Sequence, residues 1–216
     1  MSERLTVYGA LGSGSVPVEA ALTLLGVPYD VVEGATWTND PEALARVEKV
    51  NPLKQVPALV LPNGEVMTES AAMLIWLADC HGRLAPEPDS PLRAAYLRWM
   101  VYVPAAIYSM FWIRDDPSRL SPGREHDDYV KERTGMRILD CWRMMDSQIE
   151  PGAFLVGDSL TVLDLYVAVI SRWGLGRRRF REVAPKMAPV VAKVDALPEL
   201  EAFWAARFPF EPGWER

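Results

Sequence analysis

Three hydroxyls near the start of the chain, and one acid–hydroxyl pair further on, are the groups best suited to chemistry. Tyr8 falls near the end of an apolar run, Leu5 to Ala10. Ser13 and Ser15 follow in the loop Leu11-Gly12-Ser13-Gly14-Ser15. A hydroxyl donor beside a helix N-terminus can hold a thiolate, because its hydrogen bond and the positive end of the helix dipole act on the same sulfur. Lowering a thiol from its usual ~8.5 by about two pH units takes roughly 2.7 kcal/mol of preferential anion stabilisation. Glu69-Ser70 stand ahead of the apolar-rich stretch Ala71 to Leu77, where a helix should begin. A helix start carrying Ser70 offers a hydroxyl, free amides and a positive dipole end, while Glu69 offers an acceptor. The plainer roles are an N-cap for Ser15 or Ser70 and a core strand position for Tyr8.

The elements that must position these groups are marked by turn and cap residues. Leu5 to Ala10 reads as a strand, and Val16 to Leu25 as a helix with Pro17 in its first turn and Gly26 as its stop. Pro28 to Glu33 is a second strand. Asp40 caps a second helix with Pro41 at its first position, and Asn51-Pro52 ends it. Val56-Pro57 opens a short apolar run, Ala58 to Leu61; Pro62-Asn63-Gly64 is a tight turn and Glu65 to Thr68 the return strand. Pro57 cannot donate to a ladder, so it belongs at a strand's first residue or an edge; a cis bond there would turn the preceding backbone outward. The order strand, helix, strand, helix, strand, strand, helix describes a small mixed sheet with helices packed on it.

Ala85-Pro86-Glu87-Pro88-Asp89-Ser90-Pro91 has a linker's composition, and strand signals stop beyond it. Leu92 to Ile113 reads as a long aromatic helix bent at Pro104, followed by helices over Tyr129 to Ile149 and Val162 to Trp173. Val190 to Phe208 holds one or two more, interrupted at Pro198. Thr161 and Asp164 form a capping box, with Leu160 and Leu165 at its hydrophobic staple positions. The expected division is an α/β domain over 1–82, a linker over 83–91 and an all-α domain over 92–216.

A Val-Pro before a hairpin and a Glu-Ser opening the next helix, in this order and at this spacing, resemble the glutathione site of the cytosolic glutathione transferases. Gly157-Asp158 ahead of the Thr161–Asp164 box is similar to the start of that family's buried core helix. The resemblance covers nearly the whole chain and implies a thioredoxin-like N-terminal domain followed by an all-α C-terminal domain. It also implies glutathione as co-substrate. Ser70 and the helix end would bind the γ-glutamyl carboxylate and Glu69 the ammonium. Val56, before Pro57, would pair with the cysteinyl backbone, and Lys54 and Gln55 stand near the glycyl carboxylate. The thiol would be activated by Ser15, Ser13 or Tyr8, in that order of preference. A count back from Gly26 puts Gly14 where one bacterial class carries cysteine. Without that thiol, disulfide-type exchange loses its nucleophile, which favours conjugation to a small hydrophobic electrophile or reduction of peroxides. Tyr108, Phe111 and Trp112 are the candidates for an electrophile pocket, and Arg98 and Arg114 for the site or a dimer interface. The family implies a detoxifying role and a homodimer; a catalytically silent binding or regulatory protein on the same scaffold is the alternative.

The 216 residues, half of them hydrophobic, suit two small domains. A net charge of −6 provides no basic surplus for nucleic acid, and the one basic run, Arg177 to Arg181 around Phe180, reads as a helix end and loop. Cys80 and Cys141 make no disulfide framework, and His81 and His126 are too few and scattered for a metal site. With no signal peptide and no apolar run of membrane-spanning length, the expectation is a soluble cytoplasmic protein with no metal.

Overall fold

The computed structural model describes residues 4–38, 40–174 and 176–215. They divide into two compact units, Met1–Glu87 with Val194–Glu211, and Pro88–Lys193 with Pro212–Arg216.

In the first unit β1 (Leu5–Gly9), β2 (Tyr29–Glu33), β3 (Ala58–Val60) and β4 (Val66–Met67) form one sheet in the order β2-β1-β3-β4. β1 runs parallel to β2 and antiparallel to β3, and β3 pairs antiparallel with β4. The parallel step needs a crossover, supplied by α1 (Val16–Leu25), which buries Val16 to Leu22 continuously and stops at Gly26 in the left-handed conformation (φ 71°). Asp40 caps α2 (Pro41–Glu48) by accepting from Glu42 N–H at 2.9 Å. α3 (Ser70–His81) follows the hairpin and buries Ala71, Met73, Leu74, Leu77 and Ala78.

The last part of the chain rejoins this first unit, where the sequence suggests an all-α domain running from 92 to the end. After a short 3-10 turn, α10 (Glu201–Arg207) packs on α1, and Arg207 C=O accepts from Gly12 N–H at 2.9 Å. The physical reason lies in charge and surface: α10 brings Phe203 and Trp204 to be buried, and Arg207 to a carboxylate that has no other cation among the described residues.

The second unit is helical. α4 (Arg93–Tyr102) and α5 (Ser109–Asp115) are joined by a π-helical segment, Val103–Tyr108. Pro104 has no N–H and its ring would strike the carbonyl one turn back, so the chain widens there, and Ser109 N–H reaches back five residues to Pro104 C=O. α6 (Asp127–Gln148) and α7 (Val162–Ile170) follow; every residue of α7 is buried. Asp164 anchors that helix: its carboxylate accepts Thr161 N–H (2.8 Å), Thr161 Oγ1–H (2.7 Å) and Leu155 N–H (2.8 Å). Burial pushes the Asp164 carboxyl above its usual range, against the pull of these donors. The basic run lies in α8 (Gly176–Val183), not in a loop, with Arg177 and Phe180 buried. α9 (Ala188–Asp195) completes the set. Among the described residues no helix is long and apolar enough to cross a membrane.

Candidate functional site in the first unit

The Val56–Pro57 bond is cis, and β3 begins one residue later at Ala58, so Pro57 sits where a missing donor disturbs no ladder. Nothing among the described residues hydrogen-bonds the Val56 main chain. Asn51, buried, is the post around which the approach to Val56 is wound. Its Nδ2–H donates to Gln55 C=O (2.9 Å), its Oδ1 accepts Leu53 N–H (3.1 Å) and its C=O accepts Lys54 N–H (2.8 Å). This winding exposes the side chains of Lys54 and Gln55 and puts Lys54 at φ 56°, with its Nζ 3.2 Å from Glu48. Asn51 is legible in the sequence only as a turn residue; an Asn directly before Pro at a helix end is the signal that it holds a loop.

Glu69 stands directly before α3 with φ 68° and ψ 101°, a conformation a non-glycine residue adopts at a cost of about 1–3 kcal/mol. The backbone turns there, exposing the Glu69 side chain, while Ser70 is buried at the helix's first position. Among the described residues the Glu69 carboxylate has no ion-pair partner. The first unit thus holds an unpaired strip of main chain at Val56, an unpaired carboxylate at Glu69 and a twelve-residue helix presenting its N-terminus. These match, group for group, a peptide backbone, an ammonium and a carboxylate.

The three hydroxyls lie in different surroundings. Ser15 is fully buried, and its Oγ donates to Glu19 Oε1 at 2.6 Å. Ser13 Oγ is 2.9 Å from Ser15 Oγ and accepts Ser15 N–H at 3.2 Å; Ala10 N–H is shared between the two serine oxygens, 3.2 Å from each. Glu19, with 0% of its side chain exposed, is gripped by Arg207, whose Nε donates to Oε2 at 2.5 Å and whose Nη2 donates to Oε1 at 3.2 Å. Arg207 Nη1 also donates to Glu33. Burial works against the charge on Arg207, but its bonds to Glu19 and Glu33 outweigh it and hold the guanidinium above its ordinary pKa. Gly9 is required here: a Cβ on it would lie 2.3 Å from Ser15 Oγ. Since Gly9 faces α1, Tyr8 projects on the other side of the sheet. It is half-buried and sits opposite Ala58 in the β1–β3 register, and its hydroxyl has no hydrogen-bond partner among the described residues.

Glu19 and Arg207 are functional candidates that sequence reasoning missed. A lone acid in the otherwise apolar helix VPVEAALTLL is the available signal, since a buried carboxylate needs a partner.

In the second unit, Phe111 is buried and, with half-buried Tyr108, packs edge-on against Trp173 at centroid distances of 5.5 and 4.8 Å. Trp112 is exposed, with the Arg119 guanidinium over its ring. Arg98 stacks on Trp99 and donates to Gln148, and Arg114 donates to Lys131 C=O. Among the described residues no group of His, Cys, Asp and Glu could hold a metal ion.

A thioredoxin-like unit carrying these groups, followed by a helical one, defines the glutathione transferase class of fold. The model of the glutathione S-transferase N-terminal domain matches residues 15–80. An uncharacterized GST-like protein of Escherichia coli K12, YncG, is 30% identical over 197 residues, covering 91% of this chain and 95% of its own. The chain belongs to the glutathione S-transferase family. Glutathione S-transferase GstA of Escherichia coli O157:H7 is 23% identical over 157 residues, 70% of this chain and 73% of its own. Among solved structures, a glutathione transferase homolog from Sulfitobacter with bound glutathione superimposes with a TM-score of 0.80 at 23% identity, covering 95% of this chain and 99% of its own.

Proposed function

We propose that the protein is a glutathione transferase that joins the glutathione sulfur to a small hydrophobic electrophile, with peroxide reduction by the same bound thiolate as a second use. The observation that carries this reading is the conjunction, in one unit, of the unpaired Val56 main chain, the unpaired Glu69 carboxylate and the N-terminus of α3 at Ser70. In this reading Val56 pairs with the cysteinyl backbone, Glu69 takes the ammonium and Ser70 with the helix amides takes the γ-glutamyl carboxylate. Lys54 and Gln55 stand exposed for the glycyl carboxylate, with Pro57 fixing the turn. Of the three hydroxyls, Tyr8 is the best donor to the sulfur, because the Ser15 proton is already given to Glu19 and Ser13 is bonded to Ser15. Tyr108, Phe111 and Trp112 remain the candidates for contact with the electrophile. The protein works in the cytoplasm as a homodimer on this reading.

Catalysis then consists of holding the thiol as thiolate and aligning it with the electrophile. Calorimetry with glutathione and turnover of an aryl halide test it: binding with turnover that falls at least tenfold in Tyr8→Phe is expected, and absence of glutathione binding refutes it. The internal commitment of both serines also favours a second reading, a silent binding protein, which predicts glutathione binding with no turnover in parent or variant.

A further inference from the structure

We propose that Glu19 is a positioning residue for thiol activation: clamped by Arg207, it turns the hydroxyl protons of Ser15 and Ser13 inward and leaves the sulfur to Tyr8. This rests on the glutathione reading above. The argument is a count of protons. Arg207 can only donate, so Glu19 stands as the acceptor in this network. Ser15 has one proton and three acceptors within reach, Glu19 Oε1 at 2.6 Å, Ser13 Oγ at 2.9 Å and Ala10 C=O at 3.4 Å. The short contact to a carboxylate wins. Ser15 therefore has no proton for Ser13, and the 2.9 Å contact between them must be Ser13 donating to Ser15. Ser13 is then spent as well, while its oxygen receives Ala10 N–H and Ser15 N–H. The chain Ser13→Ser15→Glu19 has a fixed direction, running away from the loop's surface.

The other charged and titratable groups around Glu19 keep this direction. Glu33 of β2 shares Arg207, and Tyr29 of β2, pushed up by burial despite its bond to Thr23, feels the Glu19 charge. Arg207 is the one cation bonded to Glu19 among the described residues, and its own main chain and the neighbouring Phe208 ring pin Gly12 of the same loop.

Glu19→Gln reverses the direction. Arg207 claims the amide oxygen, so the amide nitrogen faces Ser15 and donates to it. Ser15 then donates to Ser13, and the Ser13 proton is released outward.

The test titrates the thiol of glutathione bound to the full chain by its thiolate ultraviolet absorbance, with thermal melts as the check of folding. In the parent, Tyr8→Phe raises the midpoint by about 1–2 pH units, the value of one hydrogen bond to a charged group, and Ser13→Ala moves it by less than half as much. In Glu19→Gln, Ser13→Ala moves it more than in the parent, and Glu19→Gln partly rescues Tyr8→Phe. Equal effects of Ser13→Ala in both backgrounds, or a parent shift matching that of Tyr8→Phe, overturn the proposal alone. A parent that binds no glutathione overturns this proposal and the transferase reading together. Should Glu19→Gln fail to fold, proton resonance of the parent decides. A downfield, slowly exchanging Ser15 hydroxyl that persists in Ser13→Ala supports the order, and its loss in Ser13→Ala overturns it.

Discussion

Arg207→Met separates the two halves of a buried ion pair and gives the largest stability effect expected from one substitution near the site. Glu19 keeps 0% of its side chain exposed and Arg207 only 15%, so the deleted guanidinium leaves a carboxylate in the protein interior with Ser15 as its hydroxyl partner. Removing one partner of a buried pair costs about 3–5 kcal/mol. The second bond of Arg207, to Glu33, ends on a side chain that is 54% exposed, and adds at most about 0.5 kcal/mol. For a chain of this size about 2–4 °C of melting temperature is lost per kcal/mol, so a fall of about 6–20 °C is expected. Calorimetric melts and urea titrations measure it. Two controls isolate the cause. Glu33→Gln should change stability by less than about 0.5 kcal/mol. The double variant Glu19→Met/Arg207→Met should recover most of the loss, since no buried charge remains. A single Arg207→Met variant melting within about 2 °C of the parent, below the range above, would refute the reasoning, as would a double variant whose losses simply add.

Glu69→Gln keeps the side chain's size and removes its charge. KM for glutathione should rise about tenfold, equivalent to ~1.4 kcal/mol, with kcat nearly unchanged; steady-state kinetics with varied glutathione reads this, and an unchanged KM would exclude Glu69 as the ammonium's partner. Asp164→Ala strips the acceptor from Leu155 N–H and Thr161 N–H, both buried, at about 1–3 kcal/mol each, seen as a lowered urea midpoint. The folded Asp164 carboxyl titrates above its unfolded value. Its contribution to stability is therefore fully present below the ordinary carboxylate range and is lost as pH rises through the raised value. Asp164→Asn should flatten that part of the stability–pH curve, and an identical slope in parent and variant would contradict it. Gly9→Ala drives a methyl to 2.3 Å from Ser15 Oγ and should cost about 1–3 kcal/mol while weakening glutathione binding; native-like melting and affinity would show the loop to be more yielding than its packing implies.

Much of the first unit is legible in the sequence because its boundaries are chemical. Gly26 stops α1, Asp40-Pro41 opens α2, and Pro62-Asn63-Gly64 turns the hairpin, each through a local backbone requirement. The bend at Pro104 is equally local, although widening into a π-helical segment is a finding of the structure. The pieces that were not legible depend on distant partners. α8 has a strongly basic sequence whose apolar anchor is Phe180, packed edge-on against Trp142 of α6, and nothing nearby in the chain announces that contact. Ser15 reads as a helix cap and a free donor until Glu19 is seen four residues on, and Glu19 is tolerable only because Arg207 arrives from the far end. Tyr8, the lowest-ranked hydroxyl from sequence, gains from the same contact, which occupies its rivals.

The pairing of Glu19 with Arg207 spans 188 residues and has a consequence in time. At about 5–20 residues per second a ribosome takes roughly 10–40 s to travel from one to the other. Throughout that interval the nascent thioredoxin-like segment carries an acid it cannot inter, so its final closure must wait until Arg207 has been made. Translation that stops short of α10 should leave a species that chaperones and proteases recognise, and a stop codon placed just before Arg207 would act as a quality-control signal without altering any residue of the sheet.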